Sequence, residues 1–441
     1  MRLLCISNGH GEDVIALRVL SALEKTRSDI SISALPISGM GRAYQAKNIS
    51  LIAPVQSMPS GGFVNRDPKQ LTRDMKGGLL QLTRRQLSAV RAWVRSATGS
   101  DCILAVGDIV PLLFSYISKR PYHFIGTAKS EYWLRDERGK LPAQSWVGRL
   151  EGWSGSVYLP WERWLMSRAQ SVFVRDALSA KQLRQLGVHA NYAGNPMMDG
   201  LAPTEKLNLL IGELHQQLRR EVSVSVGQNA DKATALYVTP KQKPAEPLTV
   251  ALIPGSRPPE AYENWTRILK AMPSLADSFS PRALVMLAAI APNLQIERFK
   301  AAFSAAWKSS HIASYPIFTY RNITIALTND AYNDCLHESE AAIATAGTAT
   351  EQFVGLGKPV ITLPGNGPQF TPYFATVQAK MLGPSIQTVE DPNKVGEALS
   401  KLISDPDRLQ LIYQNGIHRM GTSGAAERIA QKISERMNAV Q

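Results

Sequence analysis

The stretch Ala341–Gly365, AAIATAGTATEQFVGLGKPVITLPG, constrains the fold of this chain more than any other. Its pattern predicts a short buried strand, a helix that begins at Gly347-Thr348, and a second strand from Pro359. A glycine and a hydroxyl residue leave the first helical N–H groups uncovered, and these groups can bind a phosphate at the positive end of the helix dipole. Glu351 lies one helical turn further on, where its carboxylate can accept two ribose hydroxyls. The stretch favours a nucleotide site, although an ordinary strand–turn–helix with a surface glutamate fits the same residues.

The start of the chain predicts a second unit of the same kind. Residues 2–7 read as a buried strand, and a helix follows from Glu12-Asp13 to about Lys25. A further strand over Ile30–Pro36 completes a βαβ unit, which predicts a parallel sheet with ligands at the carboxyl ends of its strands. The loop between the first strand and the helix carries the residues that we assign to an acceptor side: Asn8, Gly9, Gly11 and Asp13. His10 in that loop is a candidate catalytic base or an ordinary loop histidine.

Two more strand ends in the first half carry candidate residues. The strand Asp101–Gly107 is followed directly by Asp108, which is placed to take a proton from an acceptor hydroxyl or, alternatively, to cap the turn before Pro111. The strand Tyr122–Gly126 leads to Lys129, which we also assign to the acceptor side.

The second half restarts the strand pattern at Leu248–Pro254. Gly255, Ser256 and Arg257 follow at the strand end, where backbone N–H groups and a guanidinium can hold a diphosphate. One helix is predicted over Tyr262–Ala276. Further along the chain, Gln369 and Gln378 are candidates for hydrogen bonds to sugar hydroxyls.

Length predicts two domains, because 441 residues exceed one ordinary core and suit two domains of about 200 residues each. We place the first domain at 1–198, a junction with a polar insertion at 199–247, and the second domain with the closing helices at 248–441. The stretches 57–78 and 222–247 have compositions typical of mobile segments.

Composition favours a reducing cytoplasm. No apolar run reaches the roughly 18 residues of a membrane helix, and MRLLCISNGHGED lacks the apolar region of a signal peptide. The three cysteines are scattered without metal-ligand spacing.

Charge and tryptophan are concentrated in the first half. Residues 1–198 carry 26 Lys and Arg against 14 Asp and Glu, a balance of +12, whereas the remaining residues carry 23 against 22. Five of the eight tryptophans lie close together among arginines: Trp133, Trp146, Trp153, Trp161 and Trp164. Such a half suits an anionic lipid surface, while nucleic-acid binding and a packed aromatic core remain alternatives. The basic helix LLQLTRRQLSAVRAWVR fits either a membrane surface or a core-packed helix with a solvated face.

Four motifs, SNGHGED, AGNPMMD, LIPGSRPPE and ATAGTATEQFVGLGKPVI, occur in the order found in one enzyme family. The chain resembles the lipid-A-disaccharide synthase family of GT-B glycosyltransferases, and more closely the lipid-A-disaccharide-synthase-related proteins of cyanobacteria. The resemblance is strongest over 249–380.

The resemblance implies an α/β fold of the GT-B type, with two Rossmann-like domains facing across a cleft. It implies a UDP-sugar donor in the second domain, contacted by Arg257 and Glu351, and an acceptor in the first. It implies an inverting glycosyltransferase that needs neither a metal nor another cofactor, moving a hexose or N-acetylhexosamine to a membrane lipid from the cytoplasmic face of a membrane. Asp108 matches a proposed base position, and His10 matches the glycine-loop histidine of related glycosyltransferases.

Two other functions remain open on sequence alone. One is a UDP-sugar 2-epimerase of the same fold, since PGSRPPEA is similar to a motif of that class. The other is a non-catalytic protein that binds a membrane surface or nucleic acid through its basic half. We favour the lipid partner over nucleic acid.

Overall fold

The computed structural model describes residues 1–9, 11–56, 78–142, 151–228, 246–365, 370 and 372–438. The chain divides into two compact units. The first comprises Met1–Gly200 together with Arg419–Gln441, and the second comprises Leu201–His418. The stretches 57–77 and 229–245, for which we expected mobility, lie outside the described residues.

The first unit is built on a parallel sheet with the strand order β3-β2-β1-β4-β5-β8-β9. Its strands are β1 (Arg2–Ser7), β2 (Ser31–Pro36), β3 (Ser50–Leu51), β4 (Cys102–Gly107), β5 (Tyr122–Gly126), β8 (Ser171–Val174) and β9 (Ala190–Asn191), with a separate hairpin of β6 (Arg135–Asp136) and β7 (Gly139–Lys140). Its helices up to the domain boundary are α1 (Gly11–Thr26), α2 (Arg42–Gln45), α3 (Leu79–Arg95), α4 (Ile109–Ile117), α5 (Pro160–Met166) and α6 (Ala177–Gln185).

Both faces of this sheet are covered. Alternate residues of β1 enter different cores, Leu4 and Ile6 on one side and Leu3 and Cys5 on the other, and all four are fully buried. A strand buried on both faces reads as a continuous apolar run, which explains why the sequence located β1, β4 and β5 within one residue of their observed ends.

The second unit has an eight-stranded sheet with the order β12-β13-β14-β11-β10-β15-β16-β17. Its strands are β10 (Leu248–Ile253), β11 (Leu284–Ala289), β12 (Lys308–Ile312), β13 (Tyr315–Tyr320), β14 (Ile323–Thr328), β15 (Ala341–Ala344), β16 (Val360–Thr362) and β17 (Ile386–Thr388). Its helices are α7 (Asn208–Gln228), α8 (Glu260–Leu269), α9 (Met272–Phe279), α10 (Ile296–Lys300), α11 (Tyr332–Glu338), α12 (Thr348–Gly355), α13 (Pro372–Leu382), α14 (Val395–Ile403) and α15 (Pro406–Met420). All pairs are parallel except those of β12 with β13 and β13 with β14.

The prediction of a single helix over Tyr262–Ala276 is wrong. Two helices occupy this region, and α9 begins at Met272 with Pro273 in its first turn. Proline lacks the N–H that a continuing helix needs, but it fits the first turn of a new helix. The helix is therefore interrupted between Leu269 and Met272.

The hairpin of β12 and β13 escaped sequence analysis. Four of the five residues of β12 are exposed, so this edge strand lacks the buried apolar alternation that marks a strand. Its turn places Ala313 at φ 51°, without the glycine or asparagine that usually indicates such a turn.

The last helix, α16 (Ala425–Asn438), belongs to the first unit and not to the second, contrary to our boundary of 248–441. Its apolar face, including Ile429 and Ile433, is buried in the same core as Val19 and Leu23 of α1. Amphipathic spacing predicts a helix, but it does not specify which sheet the helix covers.

Asp199 at the end of the AGNPMMD motif fixes the start of α16. Its carboxylate accepts hydrogen bonds from the backbone N–H groups of Ala425 and Ala426 at 3.1 and 2.7 Å, and also from that of Gly424. Arg428 of α16 donates to the carbonyl of Ala193 at 2.7 Å. The motif therefore holds the last helix on the first sheet.

The basic helix α3 packs into the core of the first unit. Leu82, Gln86, Val90 and Trp93 are buried, whereas Leu80 is 62% exposed. Gln86 donates to the carbonyl of Ile37 at 2.8 Å. Three arginines of α3 are exposed: Arg84, Arg91 and Arg95.

Candidate functional site

The glycine loops predicted in the second unit meet at one edge of its sheet. β10 and β15 are parallel neighbours, with Ile253 opposite Ala344, so their carboxyl ends lie side by side. The N–H of Thr345 donates to the carbonyl of Ile253 at 2.9 Å. Gly255 adopts φ +99°, and a Cβ built there would lie 3.5 Å from the carbonyl oxygen of Thr345. Two turns more than ninety residues apart in sequence are thus adjacent.

The helix α12 begins at this edge as the sequence predicts. Gly347 is its N-cap residue and has no side chain with which to cap the helix. Thr348 is exposed at the first helical position, and Glu351 in the first turn is only 7% exposed. The first N–H groups of an α-helix have no intrahelical acceptor, so an anion is stabilised here by hydrogen bonds and by the helix dipole.

Asn264 of α8 joins the strand-end loops, and sequence analysis did not find it. Its amide nitrogen lies 3.0 Å from the carbonyl of Pro254 and 3.4 Å from that of Thr345. Its amide oxygen is so close to Gly365 that a Cβ built there would approach it to 2.8 Å. Asn264 is 4% exposed, so one buried amide contacts the loops after β10, β15 and β16.

Glu260 at the start of α8 fixes the third loop. Its carboxylate accepts a hydrogen bond from the N–H of Phe370 at 2.8 Å, and Gly365 donates to the carbonyl of Phe370 at 3.0 Å. The PGSRPPE motif therefore supplies a loop at its beginning and a brace at its end.

Gln378 braces the site from beneath, and this differs from our expectation that it bonds a sugar. Its side chain is 1% exposed. Its amide nitrogen donates to the carbonyls of Ala346 and Gly347 at 3.2 and 3.1 Å. Because the amide is buried and used on the backbone just before α12, Gln378 positions that helix start.

Three donor-side candidates remain: Ser256, Arg257 and Gln369. Ser256 is exposed and Arg257 is half-buried, and the carbonyl of Arg257 accepts the N–H of Ala261 at 2.9 Å in the turn that enters α8. Gln369 lies outside the described residues.

Lys358, near the end of the motif ATAGTATEQFVGLGKPVI, binds backbone carbonyls. Its ammonium donates to the carbonyls of Leu336 and Ser339 at 2.8 and 2.7 Å, and burial lowers the pKa of Lys358 to about 8. It caps the carboxyl end of α11, so we assign it a structural role.

In the first unit, Asn8 links two strand ends. Its side-chain oxygen accepts the N–H of Asp108 at 2.9 Å. Gly107 adopts φ +134°, and a Cβ there would lie 1.9 Å from that oxygen. Gly9, at φ +119°, packs equally closely on Ser38. Glycine is therefore required both at Gly9, after β1, and at Gly107, the last residue of β4. Gly11 begins α1.

Asp108 is the N-cap residue of α4. One carboxylate oxygen, Oδ1, accepts the N–H of Val110 at 2.8 Å, which is the capping role that the sequence left open. The residue is half-buried and borders a small pocket of about 10 Å³ whose lining includes Lys129, Tyr158 and Glu162. His10 lies outside the described residues, so the structure does not place it against Asp108.

Two acceptor-side candidates are engaged within the protein. Lys129 forms an ion pair with both carboxylate oxygens of Glu162 at 2.8 and 2.7 Å. Asp13 is 3% exposed and accepts the hydroxyl of Ser7 at 2.6 Å. These contacts stabilise the loops, and they leave Asp13 beneath the surface.

Two features are absent from the described part of the chain. There, no group of three or more His, Cys, Asp and Glu side chains is arranged to hold a metal ion. Within the same ranges, no helix combines the length and apolar character that a bilayer crossing requires.

No family profile matches the chain, and no curated protein matches it by sequence. Solved structures match it in fold over nearly its full length. The calicheamicin glycosyltransferase CalG4 is 13% identical with a TM-score of 0.56, over 99% of this chain and 98% of that one. MurG from Acinetobacter baumannii is 12% identical with a TM-score of 0.51, over 98% and 99%. A putative UDP-N-acetylglucosamine 2-epimerase from Listeria monocytogenes is 12% identical with a TM-score of 0.50, over 99% and 97%.

These likenesses, together with two α/β units on largely parallel sheets, show the GT-B fold. The fold predicted from the motifs is confirmed. Both glycosyltransferases and epimerases occur among the similar structures, so the fold is compatible with either activity.

Proposed function

We propose that this chain is an inverting glycosyltransferase that moves a hexose or N-acetylhexosamine from a UDP-sugar to a membrane lipid. The observation that carries the proposal is the adjacency of the Gly255 loop and the start of α12, beside the buried carboxylate of Glu351. Similar structures named for a glycosyltransferase and for a UDP-sugar enzyme support a nucleotide-sugar donor. The motif resemblance to the lipid-A-disaccharide synthase family supports a lipid acceptor.

The donor would be held by three kinds of contact. First-turn N–H groups at Thr348 and the loop at Gly255–Arg257 would bind the diphosphate, and Glu351 would accept ribose hydroxyls. The helix dipole and these N–H groups would stabilise the charge on the departing diphosphate. We therefore expect transfer without a metal ion.

The reaction requires a base on the acceptor side. As the acceptor oxygen bonds to the anomeric carbon, the bond from that carbon to the diphosphate breaks and UDP leaves with the electron pair. The acceptor proton passes to the base, for which Asp108 and His10 are the candidates. Asp108 uses Oδ1 as a helix cap, and no described residue donates to Oδ2.

A UDP-sugar 2-epimerase is the second candidate, because a putative enzyme of that class shares the fold. An epimerase would convert the nucleotide sugar without any acceptor. A glycosyltransferase would release UDP only when the acceptor is present.

The test incubates the full-length protein with a panel of UDP-sugars, with and without a lipid extract, and measures UDP release and epimerised sugar. Acceptor-dependent UDP release supports the proposal. Epimerisation without lipid, or the absence of UDP binding, contradicts it.

Two variants separate donor binding from catalysis. Glu351→Ala should weaken UDP binding by about ten- to a hundredfold, the usual range for a lost charged hydrogen bond.

Asp108→Asn retains a good helix cap, and if Asp108 is the base it should slow turnover by about a hundredfold or more with UDP binding intact. Asp176→Asn at the N-cap of α6 is the matched control and should retain activity. Normal turnover of Asp108→Asn would exclude it as the base and leave His10.

A further inference from the structure

An exposed aromatic surface lies on the first unit. Trp153, Trp161 and Trp164 are 83%, 51% and 46% exposed, although tryptophan is usually buried in large part. On α4, Leu113 and Ile117 are 39% and 41% exposed. We call these five residues the tryptophan face.

Contacts within the first unit join the two helices, α4 and α5, that carry most of this face. Trp161 and Trp164 are three residues apart on α5 and therefore share one side of the helix. Trp164 packs edge-on against Tyr116 of α4 at 5.1 Å between ring centroids, between Leu113 and Ile117 in sequence. Trp153 directly precedes Ser154, and Arg163 of α5 donates to the carbonyls of Ser154 and Tyr158 at 2.9 and 3.2 Å, so the backbone next to Trp153 is fixed to that helix.

The exposed charges on the segments that carry the face have one sign. Both glutamates of residues 151–170, Glu151 and Glu162, are buried. The exposed charged residues of 109–120 and 151–170 are Lys119 and Arg168. The guanidinium of Arg168 lies 4.8 Å from the ring centroid of Trp164, so cation and ring face solvent together.

We propose that the tryptophan face docks on an anionic lipid bilayer. Tryptophan rings favour the boundary between headgroups and acyl chains, and basic residues beside them are attracted to anionic lipid. The exposed aliphatic side chains of α4 extend the apolar area, while the buried glutamates remove the repulsion that a bilayer would meet. This inference deepens the proposed lipid acceptor by naming the surface that would meet the membrane.

The test is co-sedimentation of the full-length protein with vesicles of phosphatidylcholine, with and without phosphatidylglycerol. It uses no sugar donor, so its result is independent of transferase activity. We expect binding to the phosphatidylglycerol vesicles that weakens as salt is added, because the attraction to charged lipid is screened. Replacing all three tryptophans by serine, and separately making Lys119→Glu with Arg168→Glu, should each weaken binding by about tenfold or more.

Matched controls alter similar residues elsewhere. Leu209→Ser with Leu411→Ser removes two apolar side chains that are 64% and 52% exposed in the second unit, and Lys394→Glu reverses an exposed charge there. These variants should bind vesicles as the unmodified protein does. Wild-type binding by the triple tryptophan variant would overturn the proposal, as would the absence of binding to either kind of vesicle. Self-association that the triple variant abolishes, without vesicle binding, would instead assign the face to a second copy of the chain.

Discussion

At the residue scale, the side-chain amides of Asn264 and Gln378 hold the backbone of the loops that carry the candidate site. The positions of Gly347 and Glu351 at the start of α12 could be predicted, because they depend on neighbours within one helical turn. Asn264 was not found, because its role exists only where the loops after three strands meet. Gln378 was assigned to the donor side, but its hydrogen bonds to the backbone just before α12 are not visible in the sequence.

The brace formed by Asn264 leads to a prediction about donor binding. Asn264→Ala leaves the carbonyls of Pro254 and Thr345 without their buried donor, so the loops should lose their fixed spacing. We expect a stability loss of about 1–3 kcal/mol and weaker UDP binding, measured by thermal unfolding and calorimetric titration. Asn322→Ala is the control, because Asn322 donates to the carbonyl of Arg282 at 2.8 Å just before the amino end of β14. Equal UDP affinity in both variants would contradict the role of Asn264.

His123 gives a prediction about pH. It is fully buried on β5, with Nδ1 2.7 Å from the hydroxyl of Ser171, and burial lowers the pKa of His123 from 6.5 to about 4. Between pH 6.5 and about 4, His123 is therefore protonated in the unfolded chain but neutral in the folded chain. The free energy of unfolding consequently falls as the pH falls toward 4. The contribution of this group should be on the order of 3 kcal/mol.

Urea unfolding across this pH range checks the expectation. His123→Gln should show a smaller loss of stability on acidification than the unmodified protein, whereas His311→Gln, at an exposed position on β12, should not. An unchanged pH dependence in His123→Gln would refute the assignment.

At the element scale, strands buried on both faces were predicted best. The continuous apolar runs of β1, β4 and β10 indicate strands, and the predicted boundaries agree with the observed ones within about one residue. The exposed strand β12 has no such run, and the break before α9 follows from a single proline that the apolar periodicity concealed. The position of α16 depends on which core it completes, which is a property of the folded chain.

The cap of α16 predicts an effect on stability. Asp199→Ala removes the acceptor for the first N–H groups of that helix, so we expect the free energy of unfolding to fall by about 1–2 kcal/mol. Denaturant unfolding measures the change. Asp391→Ala is the control, since Asp391 caps an exposed 3-10 turn in the second unit and should matter less. Equal effects of the two substitutions would show that the cap does not stabilise α16 on the first unit.

At the scale of the whole molecule, chain length, two restarted strand patterns and motif order were enough to predict two α/β units and the GT-B fold. The boundaries were less accurate, because the chain returns to the first unit at Arg419 after completing the second. The excess of 12 positive charges in residues 1–198 was evident from the sequence. The separation of exposed tryptophans from buried glutamates appeared only in the structure.

We propose that the strand-end loops of the second unit bind the diphosphate of a nucleotide sugar. A crystal structure of the full-length chain soaked with UDP would show whether they do. We expect diphosphate density at the N–H groups of Thr348 and beside Gly255–Arg257, with the ribose against Glu351. Density for UDP at any other place on the chain, with these loops empty, would contradict it.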